Sequence, residues 1–142
     1  MTTADVSALH RCRQVALPRI TDGRGSLSVV EGGSQLGFDI KRVYYLYDVP
    51  DDQERGAHGH RELQQLFIPL AGSFDILLDD GREKRQFHLS DPARALFVGP
   101  MIWRELSNFT AGAVCLVLAS MHYDERDYFR DYADFQREAR FG

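Results

Sequence analysis

The sequence predicts an all-β fold in one domain spanning residues 1–142. Short segments rich in β-branched and aromatic residues alternate with Gly, Asp and Pro, a pattern typical of a sandwich or barrel. Asp80-Gly81 predicts a hairpin turn between strands at 73–78 and 84–89, because this pair tolerates positive φ. The segment at 51–56 is expected to be a polar loop. Further strands are expected at 13–17, 26–31, 41–49, 63–70, 95–98, 102–107 and 113–120.

The C-terminal segment predicts a short helix at about 125–139, following a barrel at about 12–122. Tyr128, Tyr132 and Phe135 fall at i, i+4 and i+7, a spacing that places them on one helical face. Asp124 or Asp127 could cap the start of this helix. We expect the aromatic face to pack on the barrel or on a second subunit.

Composition excludes several classes of function. The net charge of −4 offers no broad electrostatic surface for nucleic acid. No apolar run approaches the roughly 18 residues of a membrane helix, and the first residues lack the pattern of a signal peptide. Cys12 and Cys115 match no ligand spacing and are interpreted as free thiols. These features together predict a cytoplasmic protein.

Two histidines form the most informative motif. His58 and His60 stand at i and i+2 before an apolar run, so on a strand both side chains leave the same face. An imidazole can exchange a proton near neutral pH or bind a metal through a neutral nitrogen. The alternative is a pair of surface histidines without a function.

A metal site is not predicted, although many small β-barrels of the cupin type hold a metal with three His and one Glu. The glutamate position of that pattern, four residues after His60, is occupied by Gln64. The third histidine position, after Gly99-Pro100, is occupied by Arg104. A guanidinium is a cation without a lone pair to offer a metal, so two of the four ligands are missing.

The remaining residues predict a cationic pocket. Arg104 beside His58, His60 and Tyr44 suits proton transfer next to a carbonyl, because the cation favours a developing enolate. It also suits phosphate binding, since arginine offers a planar fork of donors. Further candidates for substrate binding are Arg24, Arg42, Arg55 and Trp103. From the sequence alone these three arginines are better interpreted as ordinary exposed side chains, and a single tryptophan in a barrel, such as Trp103, is more often a core residue.

The chain resembles the dTDP-4-keto-6-deoxyglucose 3,4-ketoisomerases over most of its length, from about Val15 to Phe135. The resemblance is strongest in the motif Arg55-Gly56-Ala57-His58-Gly59-His60. Other matching segments are 22–27, 41–45, 77–81, 98–103, 117–120 and 123–125.

This resemblance implies a cupin-type double-stranded β-helix that forms a homodimer and uses no metal or organic cofactor. It assigns the paired histidines to His58 and His60, the active-site tyrosine to Tyr44, and binding arginines to Arg24 and Arg104. Two positions depart from the family pattern. Gly59 stands where alanine is expected, and Gln64 stands where many members have glutamate.

The implied reaction converts a dTDP-linked 4-keto-6-deoxyhexose to its 3-keto isomer. His58 would remove the C3 proton, and Tyr44 or His60 would move protons between the C3 and C4 oxygens. Arginines would hold the diphosphate and aromatics the thymine. No Gly-x-Gly-x-x-Gly fingerprint for a nicotinamide occurs in the sequence.

Three other functions remain open from the sequence. A nucleotide-sugar 3,5-epimerase has a similar architecture but differs at the His-x-His motif. A non-catalytic sugar-binding module would bind the nucleotide sugar without consuming it, and a metal-dependent oxygenase or isomerase is the third alternative. Exposed sheet edges predict a homodimer in every case, with the N-terminal strands as candidates for exchange.

Overall fold

The computed structural model describes residues 8–50 and 53–141, which form antiparallel β-sheets and one C-terminal helix. A 3-10 turn at Ala8–Arg11 precedes the first strand. The elements are β1 (Arg13–Ala16), β2 (Ile20–Asp22), β3 (Gly25–Leu27), β4 (Arg42–Leu46), β5 (Arg55–His60), β6 (Gln65–Ala71), β7 (Phe74–Asp79), β8 (Lys84–Leu89), β9 (Arg94–Val98), β10 (Trp103–Ser107), β11 (Val114–Ala119), β12 (Tyr128–Phe129) and α1 (Tyr132–Phe141).

Two five-stranded sheets form the body of the molecule. One has the strand order β1-β9-β6-β11-β4, and the other has the order β12-β5-β10-β7-β8. From β4 onward the chain passes repeatedly from one sheet to the other, which is the connectivity of a jelly roll. The predicted all-β fold with a short C-terminal helix is confirmed. The β2–β3 hairpin forms a separate two-stranded sheet.

The core is formed by alternate residues of the facing strands. Phe74, Ile76 and Leu78 of β7 are fully buried, and the residues between them are only partly covered. Strand β6 instead has both faces covered, because Leu66 and Ile68 pack in a second apolar cluster outside the main core. Burial on both faces explains why the sequence at 66–70 is a continuous apolar run.

The C-terminal segment differs from the prediction in where its helix begins. Residues Glu125–Asp127 form a 3-10 turn whose cap is Asp124, and Tyr128–Phe129 form β12 on the edge of β5. Tyr128 is therefore a strand residue, and its assignment to the helical face is wrong. Aromatic residues suit a strand, and β12 provides hydrogen-bonding partners for an otherwise unpaired edge.

The helix α1 itself is short. It spans 10 residues, and it buries Phe135 against the sheet that contains β5. In the described part of the chain no helix has the length and apolar composition needed to cross a bilayer. The expected polar loop at 51–56 is also shorter than predicted, because Arg55 and Gly56 already belong to β5. Asp51 and Asp52 lie outside the described residues.

Gly59, between the two histidines, lies directly under Phe135 of α1. A Cβ atom at Gly59 would lie 3.0 Å from Cδ1 and 3.3 Å from Cε1 of that ring. Phe135 is fully buried, so its ring has little room to move away. The absence of a side chain at Gly59 is what allows the helix to pack this closely on β5.

We therefore expect Gly59→Ala to lower the free energy of unfolding by about 1–3 kcal/mol, the usual cost of overpacking a filled core. Urea unfolding followed by circular dichroism measures this change. Gly23→Ala is the matched control, because a Cβ at Gly23 meets no atom within 4 Å, and its effect should stay within about 0.5 kcal/mol. Equal stability of Gly59→Ala and wild type would mean that the Phe135 ring moves without cost.

Candidate active site

A cavity of about 520 Å³ opens between the two sheets. It is strongly cationic, because its lining contains four arginines and one carboxylate, that of Glu54. The lining residues are Arg42, Val43, Tyr44, Leu46, Glu54, Arg55, Gly56, His58, Phe67, Arg104, Leu106, Tyr128 and Arg130.

His58 and Arg104 meet in this cavity because of the strand register. They are directly paired across the antiparallel strands β5 and β10. Directly opposed residues of neighbouring strands project from the same face of a sheet. The pairing therefore places the predicted histidine and the predicted arginine side by side.

Arg104 is a buried cation without a counter-ion. Its side chain is 1% exposed, and it forms no ion pair with a carboxylate of residues 8–50 or 53–141. It donates hydrogen bonds to Oε1 of Gln65 and, over 2.9 Å, to the backbone oxygen of Ile102. Its Nε has no partner within the same residues. Burial lowers the pKa of Arg104 to about 10, so the guanidinium stays charged at neutral pH and favours an anionic ligand.

His58 is held in its neutral form. Burial is the main cause that lowers its pKa to about 3, and the positive charges of Arg104 and Arg130 lower it further. The imidazole therefore carries a free nitrogen lone pair at neutral pH. His58 lines the cavity, so this lone pair belongs to a base that a ligand can reach.

His60 lies behind His58 and outside the cavity lining. Its side chain is 1% exposed, and its ring meets that of His58 edge-on with 4.8 Å between the centroids. Nδ1 lies 3.0 Å from Oδ2 of Asp127. Burial, followed by the charge of Arg104, lowers the pKa of His60, so the ring is neutral. The single ring hydrogen is thus on Nδ1, where it is donated to the carboxylate, and Nε2 keeps its lone pair.

Asp127 is a site residue that the sequence interpretation missed. Its carboxylate is buried, and Oδ1 accepts the backbone N–H of Glu62 over 2.7 Å while Oδ2 faces His60. Burial raises the pKa of this carboxyl group. In the sequence Asp127 is one of several charges near a helix start, and no spacing connects it with His60. Only the pairing of β12 with β5 brings the two together.

Tyr44 faces the histidines from the opposite sheet. It lies on β4, where Arg42, Tyr44 and Leu46 point inward and Val43 and Tyr45 point outward. The Tyr44 hydroxyl accepts a hydrogen bond of 2.8 Å from Nε2 of Gln65. Burial raises the pKa of Tyr44, which keeps the phenol protonated at neutral pH.

The mouth of the cavity combines arginines with aromatic rings. The Arg42 guanidinium lies 5.4 Å from the Tyr44 ring centroid. Arg130 lies 4.0 Å from the ring centroid of Tyr128 and donates to both carboxylate oxygens of Glu125, over 3.0 and 2.8 Å. Stacking and the carboxylate fix the orientation of Arg130. Together with Arg55, these side chains suit an anionic ligand that enters from solvent.

Two predicted binding residues lie outside this cavity. Arg24 is in the turn of the β2–β3 hairpin, 91% exposed, with its guanidinium 2.7 Å from a carboxylate oxygen of Asp22. Trp103 is buried against Phe135 and donates to Glu105 over 3.0 Å. As the neighbour of Arg104 on a strand, Trp103 points to the opposite face of the sheet. It therefore cannot stack on a ligand in this cavity.

His58, His60 and Asp127 are not arranged as a metal site. Within residues 8–50 and 53–141, no group of three or more His, Cys, Asp or Glu side chains is arranged to hold a metal ion.

Comparison with known proteins places this geometry among sugar-modifying enzymes. Residues 10–140 match the family model described as FdtA: WxcM-like, C-terminal. A relative from Aneurinibacillus thermoaerophilus, named TDP-4-oxo-6-deoxy-alpha-D-glucose-3,4-oxoisomerase, is 43% identical over 119 residues, which cover 84% of this chain and 86% of the relative.

Solved structures agree with the family match. The 3,4-ketoisomerase QdtA from Thermoanaerobacterium thermosaccharolyticum, a histidine-to-asparagine variant in complex with TDP-4-keto-6-deoxyglucose, has a TM-score of 0.91 at 42% identity, covering 94% of this chain and 96% of that one. The TDP-quinovose 3,4-ketoisomerase WlaRB from Campylobacter jejuni has a TM-score of 0.85 at 44% identity, covering 89% and 97%.

The lowered pKa of His58 predicts a pH dependence of stability. In the unfolded chain His58 has an ordinary pKa near 6.5 and binds a proton below that pH, whereas in the folded chain it stays neutral down to about pH 3. The contribution of neutral His58 to the free energy of unfolding should therefore be complete above about pH 6.5 and decrease as the pH falls towards 3. The variant His58→Asn lacks this titrating imidazole, so its free energy of unfolding should decrease less than that of wild type between pH 7.5 and 5.

Urea unfolding of wild type and His58→Asn at both pH values measures this difference. The pH 7.5 data give the effect of the substitution itself, which is then subtracted. An identical loss of stability in the two proteins would mean that His58 titrates normally in the folded state.

Proposed function

This chain belongs to the FdtA (WxcM-like, C-terminal) family, and we propose that it converts dTDP-4-keto-6-deoxyglucose to a dTDP-3-keto-6-deoxyhexose. It would thus be a dTDP-sugar 3,4-ketoisomerase, an isomerase that moves a carbonyl group by proton transfer. The observation that carries the proposal is the neutral base His58 beside the cation Arg104, which is buried and has no ion pair among the described residues. This pair suits the removal of a proton next to a carbonyl and the stabilisation of the negative charge that develops.

The cavity supports binding of a nucleotide sugar. Its volume of about 520 Å³ lies within the range of small-ligand sites. Arg42, Arg55 and Arg130 stand where the diphosphate would lie if the sugar points inward toward His58. Arg104, at the buried end, would then face the sugar rather than the phosphates.

The first half of the reaction forms an enediol. His58 takes the proton from C3, and the electrons of that C–H bond form the C3–C4 double bond. The C4 carbonyl oxygen gains the electron pair of its π bond and receives the hydroxyl proton of Tyr44. Arg104 lowers the energy of this step, because its charge opposes the negative charge that develops on the oxygen.

The second half reverses these transfers at the neighbouring carbon. The hydroxyl group on C3 returns its proton to the Tyr44 oxygen and becomes the new carbonyl. The electrons of the double bond take the proton from His58 at C4. Each group ends as it began, and the reaction is redox-neutral. Tyr44 is better placed than His60 to move the oxygen-bound protons, because His60 lies outside the cavity lining.

We further propose that the protein is a cytoplasmic homodimer. The hairpin and the residues after it expose Ile20 (62%), Leu27 (57%) and Val29 (39%), an apolar surface that a second copy could cover. Arg24 lies on the same hairpin and does not line the cavity of its own protomer. In a dimer with exchanged strands it could therefore reach the cavity of the second copy. The two buried free thiols, Cys12 and Cys115, fit a reducing compartment.

Proton NMR of dTDP-4-keto-6-deoxyglucose with purified protein in heavy water tests the reaction. We expect loss of the C3 proton signal, growth of a 3-keto product and deuterium at C4. In ordinary water, where C4 of the product carries a proton, the coupling constant between the C4 and C5 protons reveals whether the product has the gluco or galacto configuration.

The variant His58→Asn should lose turnover by at least roughly 100-fold, while its Kd for dTDP stays unchanged. Exchange at C3 and C5 with the ketone still at C4 would instead indicate a 3,5-epimerase. Binding without any exchange would indicate a non-catalytic sugar-binding protein, and near-normal activity of His58→Asn would exclude His58 as the base.

Multi-angle light scattering at micromolar concentration tests the assembly, and we expect the mass of a dimer. Ile20→Asp combined with Leu27→Asp should shift the protein to monomer, because two charges would be buried in the proposed interface. Tyr45→Asp, at an exposed aromatic residue outside the hairpin, is the control and should remain dimeric. A monomeric wild type would exclude the proposed dimer.

A further inference from the structure

A buried glutamine connects the arginine with the tyrosine. Gln65, the first residue of β6, has no solvent exposure. Its Oε1 accepts a hydrogen bond from Nη1 of Arg104, and its Nε2 donates one of 2.8 Å to the hydroxyl oxygen of Tyr44. The sequence interpretation did not single out this residue for any role.

The chemistry of the two neighbours fixes which way the Gln65 amide points. A guanidinium can only donate hydrogen bonds, so the end of the amide that faces Arg104 must be the carbonyl oxygen. The NH₂ end then faces Tyr44, and the Tyr44 oxygen must act as the acceptor of that bond. The hydroxyl hydrogen is consequently not used in the bond to Gln65.

That hydrogen is directed to the cavity. Within residues 8–50 and 53–141 the Tyr44 hydroxyl has Gln65 as its one hydrogen-bond partner, and Tyr44 lines the cavity. The remaining direction for the O–H bond is towards the space that a ligand occupies. A protein oxygen that could accept this hydrogen would compete with the ligand, and the described residues provide none.

We propose that Gln65 is a positioning residue, which holds Tyr44 as a hydrogen-bond and proton donor towards the carbonyl oxygen of the bound sugar. This inference rests on the proposed ketoisomerase function. In the proton transfer the Tyr44 O–H bond breaks and an O–H bond forms on the substrate oxygen. Gln65 exchanges no proton itself.

The same amide stabilises Tyr44 after the proton has left. The phenolate would accept a hydrogen bond from Nε2, and the charge of Arg104 lies on the other side of the amide. The ionisable groups around Tyr44 are Arg104, whose charge lowers the pKa of the phenol, and Cys115 and Tyr128, which raise it. Arg42 lies over the ring. The phenol is therefore neutral when free and has stabilising neighbours when ionised.

Glutamate at position 65 would reverse this arrangement. A carboxylate has no hydrogen to donate, so it would accept the hydroxyl hydrogen of Tyr44 and turn it away from the cavity. It would also pair with Arg104. Leucine, of similar size, would remove both hydrogen bonds without turning the hydroxyl in either direction.

Steady-state kinetics of Gln65→Glu, Tyr44→Phe and the double variant test the proposal. We expect Gln65→Glu to lower kcat by roughly 100-fold and to leave the Kd for dTDP unchanged. In the Tyr44→Phe background the same substitution should lower kcat by clearly less than it does in wild type, because the hydroxyl on which it acts is absent and only its pairing with Arg104 remains. Gln64→Glu, the same chemical change at the preceding, partly exposed residue, whose side chain makes no hydrogen bond to Arg104 or Tyr44, is the control and should keep wild-type kcat.

If Gln65→Glu lowers kcat by the same factor in the Tyr44→Phe background as in wild type, the proposal is overturned, since Gln65 would then act through Arg104. If Gln65→Glu does not fold, Gln65→Leu replaces it in the same cycle. Gln65→Leu should lower kcat less than Gln65→Glu does, and this loss should again be smaller in the Tyr44→Phe background than in wild type.

The second measurement does not depend on turnover. Tyrosine labelled with ¹³C at Cζ reports the ionisation of each phenol, and the Tyr44 signal is assigned by its absence in Tyr44→Phe. Gln65→Glu should raise the pKa of Tyr44 above the wild-type value, because an N–H donor to the phenolate is replaced by a negative charge. An unchanged Tyr44 pKa would contradict the proposal. A wild type that fails to isomerise the sugar but shows this pKa shift would contradict the proposed function alone.

Discussion

The site depends on the buried positive charge of Arg104, which has no ion pair in the part of the chain that the structure describes. Moving a guanidinium out of water costs several kcal/mol, and among residues 8–50 and 53–141 the hydrogen bonds of Arg104 go to the oxygens of Gln65 and Ile102. Its charge helps to keep both histidines neutral, and its lack of acceptors decides the orientation of the Gln65 amide. If Arg104 formed an ion pair with a carboxylate of the protein, its charge would be compensated and would attract an anionic ligand only weakly.

The surrounding structure holds this arrangement in place through strand register. One antiparallel pairing sets His58 beside Arg104, and another sets Tyr128 beside His60. The helix then closes on Gly59, where the absent side chain lets Phe135 approach the backbone between the histidines. These contacts lie in hydrogen-bonded strands and under a packed helix, so the reactive groups are oriented before a ligand binds.

The sequence could predict those parts of the site that follow from local patterns. Most of the strands, the His-x-His motif and the arginine at the third histidine position are local features, and they identified His58, Arg104 and Tyr44. Tyr128 was misassigned because a helical spacing occurred by coincidence across β12 and α1. Gln65 and Asp127 were missed because their importance lies in contacts across 39 and 67 positions of the chain. Such contacts depend on the pairing of distant segments in the fold, and they produce no periodic pattern in the sequence.

The bond between His60 and Asp127 also bears on how the site is assembled. The two residues are 67 positions apart in the chain, and their contact forms only when the segment after β11 packs back on β5. A chain in which β1 to β11 have formed but the segment at 125–141 has not docked would contain His58 and Arg104 beside a solvated His60. Recovery of activity after refolding would then report the docking of that last segment, rather than the pairing of β1 to β11.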